Sequence, residues 1–152
     1  MGVKITADFT TASITKMFDQ QTRLYLDSIV KLYSDAGKAM VKDARDRTKD
    51  LGAYDGGSFG NITWELRSSI GCAVYEDGVK KFAYFPALST GGQGSIEGED
   101  YADELSQGVD GIMLIVVVGK DYAAKVENRG YNVITSTGLI AEDIFDRYLA
   151  AA

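Results

Sequence analysis

The run GIMLIVVVG, residues 111–119, is apolar on both of its alternating faces. A strand with that pattern is covered on both sides, and a single helix covers only one of them. The sequence therefore demands either a second layer from its own chain or one finished by a neighbour. The run is expected at the centre of its sheet.

The first layer is easy to find. From about Ser13 to Thr48, Ile14, Phe18, Tyr25, Ile29, Leu32, Tyr33, Ala36, Met40 and Ala44 recur at three- and four-residue steps, the period of an amphipathic helix. Asp19 with Arg23, Asp27 with Lys31 and Asp43 with Arg47 place an acid four residues before a base, the better orientation for helix pairs. Gly37 lies inside the pattern and costs about 1 kcal/mol against alanine, marking a place for a bend or break. Residues 1–12 show no strong period and read as an N-terminal arm.

Beyond the helix, residues 50–61 (DLGAYDGGSFGN) hold four glycines and predict a loop. ITWELRSSI leads into GCAVYEDGVKKFAYF, a β-hairpin turning at Asp77-Gly78, with Ile70, Cys72 and Val74 on one face. Residues 86–110 contain the single proline and several glycines and read as a long loop, with one helical turn around Tyr101–Leu105. A last helix is expected over about Thr137–Ala150, with Glu142 and Asp143 early and Arg147 late to suit its dipole. The result is one α+β domain over residues 1–152: a long N-terminal helix packed on a small antiparallel sheet, with a C-terminal helix.

Composition narrows the chemistry. Histidine is absent, which removes the usual general base and the commonest transition-metal ligand. Cys72 is the single cysteine and suits a small buried thiol in a reducing compartment. A net charge of -6 argues against gripping nucleic acid, which requires basic patches. No apolar run approaches the ~20 residues that span a bilayer, and the N-terminus lacks the apolar stretch of a secretory signal. Gly2 and Thr6 match the short myristoylation pattern, which is common by chance.

The remaining motifs fall to simpler readings. GGQGSIEG does not fit the dinucleotide fingerprint, and Gly119-Lys120 lacks the rest of a phosphate loop. Glu97, Glu99, Asp100, Asp103 and Glu104 lack the alternating spacing of a calcium loop and read as a solvated acidic cluster. A Ser–Lys dyad or a Glu65–Glu127 carboxylate pair has no supporting motif. Asn61-Ile62-Thr63 is a glycosylation sequon without secretory context. Trp64 reads equally as a lid over the core and as an interface anchor. No catalytic residue, metal or cofactor is expected.

Two segments carry a resemblance. LRSSI supplies Leu66, Ser69 and Ile70, and GKDYAAKVENRGYNVI supplies Tyr122, Ala123, Val126 and Glu127, with Gly130 two positions late. Their order and spacing resemble the bacteriophage tail-completion, or head–tail joining, family, whose members carry Thr-Gly-x-Leu-x-x-Ser-Ile and Tyr-Ala-x-x-Val-Glu-x-Gly. The form VENRGYNV looks most like the branch in phages of gut Bacteroidota. The family's proline and Thr-Gly before the leucine are replaced here by SFGNITWEL.

The resemblance, over residues 15–149, implies a non-enzymatic virion protein assembled in the bacterial host cytoplasm. It implies a six-fold homo-oligomeric ring in the neck, meeting portal-side stopper proteins and the tail tube or terminator. DNA would pass through without specific binding, which the acidic balance suits, and no membrane is involved. The alternatives are a tail terminator capping the tube and, in another class, a small-molecule or peptide-binding domain with its pocket near Trp64 and residues 86–110. Interface candidates by residue type are Trp64, Arg67, Tyr122, Arg129 and Tyr131, with Glu127 at the rim. The stretch Ser89–Gly108 is expected to face the lumen or a partner ring.

Overall fold

The computed structural model describes residues 10–50 and 63–151. Helix α1 (Thr11–Asp50) runs 40 residues. It is opened by reciprocal bonds between Thr10 and Ser13: each backbone amide donates to the other's hydroxyl, at 3.0 and 3.2 Å. Gly37 does not end it. A Cβ there would stand 2.8 Å from both Cys72 Sγ and Leu114 Cδ1, so the glycine is what lets the helix lie close on the sheet.

That sheet has three antiparallel strands, β1 (Ile70–Glu76), β2 (Val79–Tyr84) and β3 (Ile112–Val118), in the order β2-β1-β3. The hairpin turns at Asp77-Gly78 as expected. Both residues have positive φ, 50° and 75°, the conformation of a two-residue hairpin turn that asparagine, aspartate and glycine tolerate. The central strand is β1, buried at every position. The apolar run expected at the centre is instead the edge strand β3, paired only with β1.

Both faces of β3 are nevertheless covered. Leu114, Val116 and Val118 join Ile70, Cys72, Val41 and Ala44 beneath α1. Met113, Ile115 and Val117 join Ala73, Tyr75, Phe85 and Ala102 on the other side. The second cover is α3 (Gly92–Leu105), 14 residues within the stretch expected to be a loop with a single helical turn. Its glycines made the segment look like loop, each being about 1 kcal/mol worse than alanine in a helix. Gly94, Gly98 and Ala102, four residues apart, form its buried face. Gly98 meets Gly119, and a side chain at either would collide with the other's backbone or with Ser69. Close approach, not turn formation, is the use of these glycines.

Short elements finish the molecule: α2 (Glu65–Ser68), α4 (Ala123–Glu127), α5 (Thr135–Leu139) and α6 (Ala141–Leu149). The last two replace the single expected C-terminal helix, and they part at Ile140. Helix α6 packs on α1 with Phe145 edge-on to Tyr33, ring centres 5.0 Å apart. The ion pairs also differ from expectation. Arg23 turns forward to Asp27 at 2.6 Å and to Glu76 at 2.9 Å, and Lys31 turns to Asp35 at 2.9 Å. Asp43 accepts the Thr137 hydroxyl at 2.7 Å, and the side chain of Arg47, its expected partner, lies outside the described residues. Glu76 at the end of β1, held also by Lys81 at 3.0 Å, draws Arg23 away from Asp19.

The length of α1 has a consequence. At 1.5 Å per residue it extends about 60 Å, whereas a seven-residue strand extends about 23 Å. Its first half overhangs the sheet, and Phe18 and Tyr25, expected in the core stripe, are exposed. Expected features at 1–9 and 51–61 lie outside the described residues.

Candidate functional site

The two segments quoted from the sequence meet in space. Gly119 N donates to Ser69 O at 3.1 Å. Leu66 and Ile70 share one apolar cluster with Ala123, Val126 and Tyr131. Between them, Lys120 pairs with Glu97 at 2.6 Å and with Glu65 at 3.4 Å. Burial lowers the Lys120 pKa, but Glu97 and Glu65 more than restore it, so the ammonium is held above its ordinary value. Lys120 thus ties the end of β3 to α2 and α3, and the chain leaves the sheet at a fixed angle.

From there the backbone forms a hook. Tyr122 precedes α4, one short turn of helix runs to Glu127, and Gly130 (φ 89°) reverses the chain. Val133 then plugs into the core at 1 % exposure. Glu127 closes the hook by accepting from Thr135 N at 2.8 Å and Ile134 N at 3.3 Å. Burial raises the Glu127 pKa, while the Thr135 hydroxyl and the amides of residues 133–135 lower it further, leaving the carboxyl below its usual range. Glu127 therefore holds its own chain together. It makes no pair with Glu65, whose partner is Lys120.

The hook, β3 and α3 enclose a groove of about 640 Å³. Its floor is the outer edge of β3 at Val116, Val117 and Val118, continuing to Gly119 and Lys120. Tyr101 and Leu105 of α3 form one wall, and Ala123, Ala124, Glu127, Val133 and Ile134 form the other. Among the described residues, no backbone group outside β1 pairs with β3. The strand Ile112–Val118 has no charge and no proline along that edge, the features that usually blunt an edge strand.

The six residues named from the sequence divide into two places. Tyr122, Glu127, Arg129 and Tyr131 belong to the hook: Arg129 is exposed, Tyr131 leans on the core, and Tyr122 reaches an adjoining depression with Tyr101, Glu97 and Asp100. Trp64 and Arg67 lie elsewhere, in a cavity of about 310 Å³ with Val41, Arg45, Asp46 and Leu88. Arg67 is only 2 % exposed, its guanidinium 6.0 Å from the Trp64 ring centre. Burial lowers its pKa and Asp46 opposes that shift. Arg67 is a core residue here, a correction to its expected place at the surface.

The acidic cluster stays solvent-facing, with the Glu99 and Asp103 side chains 41 % and 44 % exposed, and two of its carboxylates are tethered to the sheet. Tyr75 donates to Asp103 at 2.6 Å, and Lys80 reaches Glu99 at 2.7 Å and Asp103 at 2.9 Å. What the sequence reading missed is a pair of unfinished surfaces. One is the β3 edge. The other is the overhanging half of α1, where Met17, Phe18, Leu24 and Tyr25 are 63–69 % exposed at seven-residue spacing along one stripe. The mismatch between helix and strand length was the available signal for the second. No helix among the described residues is long and apolar enough to cross a membrane.

No family model, curated protein or solved structure matches the chain.

Proposed function

We propose that this chain is a structural subunit of a long-tailed bacteriophage neck, assembling into a ring that joins the DNA-filled head to the tail. The observation that carries the assembly is the edge of β3, which no described residue beyond β1 pairs and which has no charge or proline, with its apolar groove, set in the same subunit as an overhanging apolar helix stripe. Apolar surfaces of this kind call for a partner. They are two different surfaces, as a head-to-tail contact requires, and such contacts close into rings at a fixed rotation.

The placement in the neck rests on the resemblance of LRSSI and YAAKVENRGY, whose residues share one cluster. The tail terminator, also a ring, is the alternative within this class. Deleting the gene in its parent phage and viewing lysates by negative stain tests both. Filled heads beside free tails of regular length support the joining role, overlong tails support the terminator, and complete virions defeat both.

The cavity beneath Trp64 favours a second reading, a domain that binds a small molecule between Trp64, Arg45 and Leu88. A monomeric protein whose Trp64 fluorescence responds saturably to a small ligand would support that reading over assembly.

A further inference from the structure

We infer that the β3 groove receives the N-terminal segment Val3–Phe9 of a second copy of this chain, added as a fourth antiparallel or parallel strand. This deepens the ring reading and rests on it in one respect, that copies associate.

The groove is shaped for a strand. Its floor is a backbone edge, and main-chain groups along such an edge bind an extended segment through ladder hydrogen bonds, with flanking pockets taking alternate side chains. Both walls offer apolar contacts, Tyr101 and Leu105 on one side and Val133 and Ile134 on the other.

The segment is written as a strand. Val3, Ile5, Ala7 and Phe9 alternate with Lys4, Thr6 and Asp8, a strict two-residue period over seven positions. Reading residues 1–12 together hides it, because the helix begins at Thr11. Its length equals that of β3, also seven residues.

Reach decides that the segment comes from another copy. Gly37 lies level with Leu114 and Cys72, and Cys72 pairs with Val116. Counting back along α1 to Thr10 places the start of the helix roughly 40 Å from that level. The nine residues before Thr10, fully extended, span about 32 Å at most. Arg23 meets Glu76, which pairs with Ile112, so a chain's own segment reaches at most the Ile112 end of β3 and falls short of the groove floor at Val116–Val118, while the overhanging half of α1 carries it outward to a neighbour. Segment into groove, repeated around an axis, is a head-to-tail contact.

The test compares the full chain with a variant lacking residues 1–9 and with Ile5→Pro, which removes one amide and fixes φ within the segment. Mass photometry reads association, and hydrogen exchange reads residues 112–118. Full-length protein is expected to associate, with alternate β3 amides (those turned away from β1) slowed at least tenfold relative to either variant. Both variants are expected to be monomeric with unchanged melting. A synthetic peptide of residues 2–10 added to the truncated variant should restore the protection, and a scrambled peptide should not. Variants that associate as the full chain does would overturn the strand addition while leaving the ring reading standing. So would a peptide that leaves β3 exchange unchanged. A full chain that stays monomeric, with β3 exchanging as in the variants, would overturn the inference and count against the ring as well.

Discussion

Gly37 of α1 faces Cys72 of β1 with no room for a methyl group between them: a Cβ at 37 would lie 2.8 Å from the thiol sulfur. The two residues set the distance between the helix layer and the sheet. Burial also pushes the Cys72 thiol up to about 12, so the sulfur stays protonated and acts as packing.

Gly37→Ala should therefore destabilise the protein by about 1–3 kcal/mol, the usual range for overpacking a core, despite a helix-propensity gain of about 1 kcal/mol. Urea unfolding measures it. A variant as stable as the parent would show that α1 can lift off the sheet without loss.

Arg45 holds the corner where β1 begins. Its guanidinium donates to Ile70 O at 2.6 Å, Ser68 O at 3.1 Å and Pro86 O at 2.9 Å, and burial pushes its pKa down to about 10. Arg45→Ala should remove about 3 kcal/mol, because several buried carbonyls lose their donor together. Arg45→Lys should recover less than half, since an ammonium lacks the planar fork. Equal stability of the lysine variant and the parent, by thermal melting, would contradict this account.

How much of this was legible depends on what each residue type does alone. The α1 helix, the Asp77-Gly78 turn and the apolar strand within 111–119 follow from local period and turn chemistry and are present, though only the second half of the α1 stripe is buried, Phe18 and Tyr25 being exposed. Helix α3 was hidden because Gly94 and Gly98 look like punctuation until Glu65, Ser69, Phe85 and Gly119 are placed against them. The edge position of β3 was hidden for a related reason. Two-faced burial is as compatible with an edge strand between two helices as with a central one, and the pattern does not record strand order. Arg67 misled because arginine is an interface residue by frequency, and its burial is a property of the fold.

Glu127 predicts an acid sensitivity. Its folded pKa lies below its ordinary value, so its contribution is fully present above the unfolded carboxylate pKa of about 4.3. That contribution is lost as pH falls through the folded value. Glu127→Ala should cost about 1 kcal/mol at pH 7, comparable to losing a cap. The gap between variant and parent in urea unfolding should narrow steadily below pH 4. A constant gap down to pH 2.5 would remove the charge from the explanation.

Arg129 stands exposed on the hook, one residue before the reversal at Gly130. Its backbone amide donates to Val126 O at 3.1 Å, but among the described residues its side chain makes no hydrogen bond or ion pair, so its charge is open to a partner. If the hook flanks the joint between copies, Arg129→Glu places a repulsive charge beside that joint, and a like-charge contact suppresses association by several kcal/mol. The variant should melt within a degree or two of the parent, since exposed substitutions change stability by about 0.5 kcal/mol or less. It should also fail to form the oligomer in mass photometry at concentrations where the parent does. Normal association would place the joint away from the hook, and a large drop in melting temperature would assign Arg129 to the fold instead.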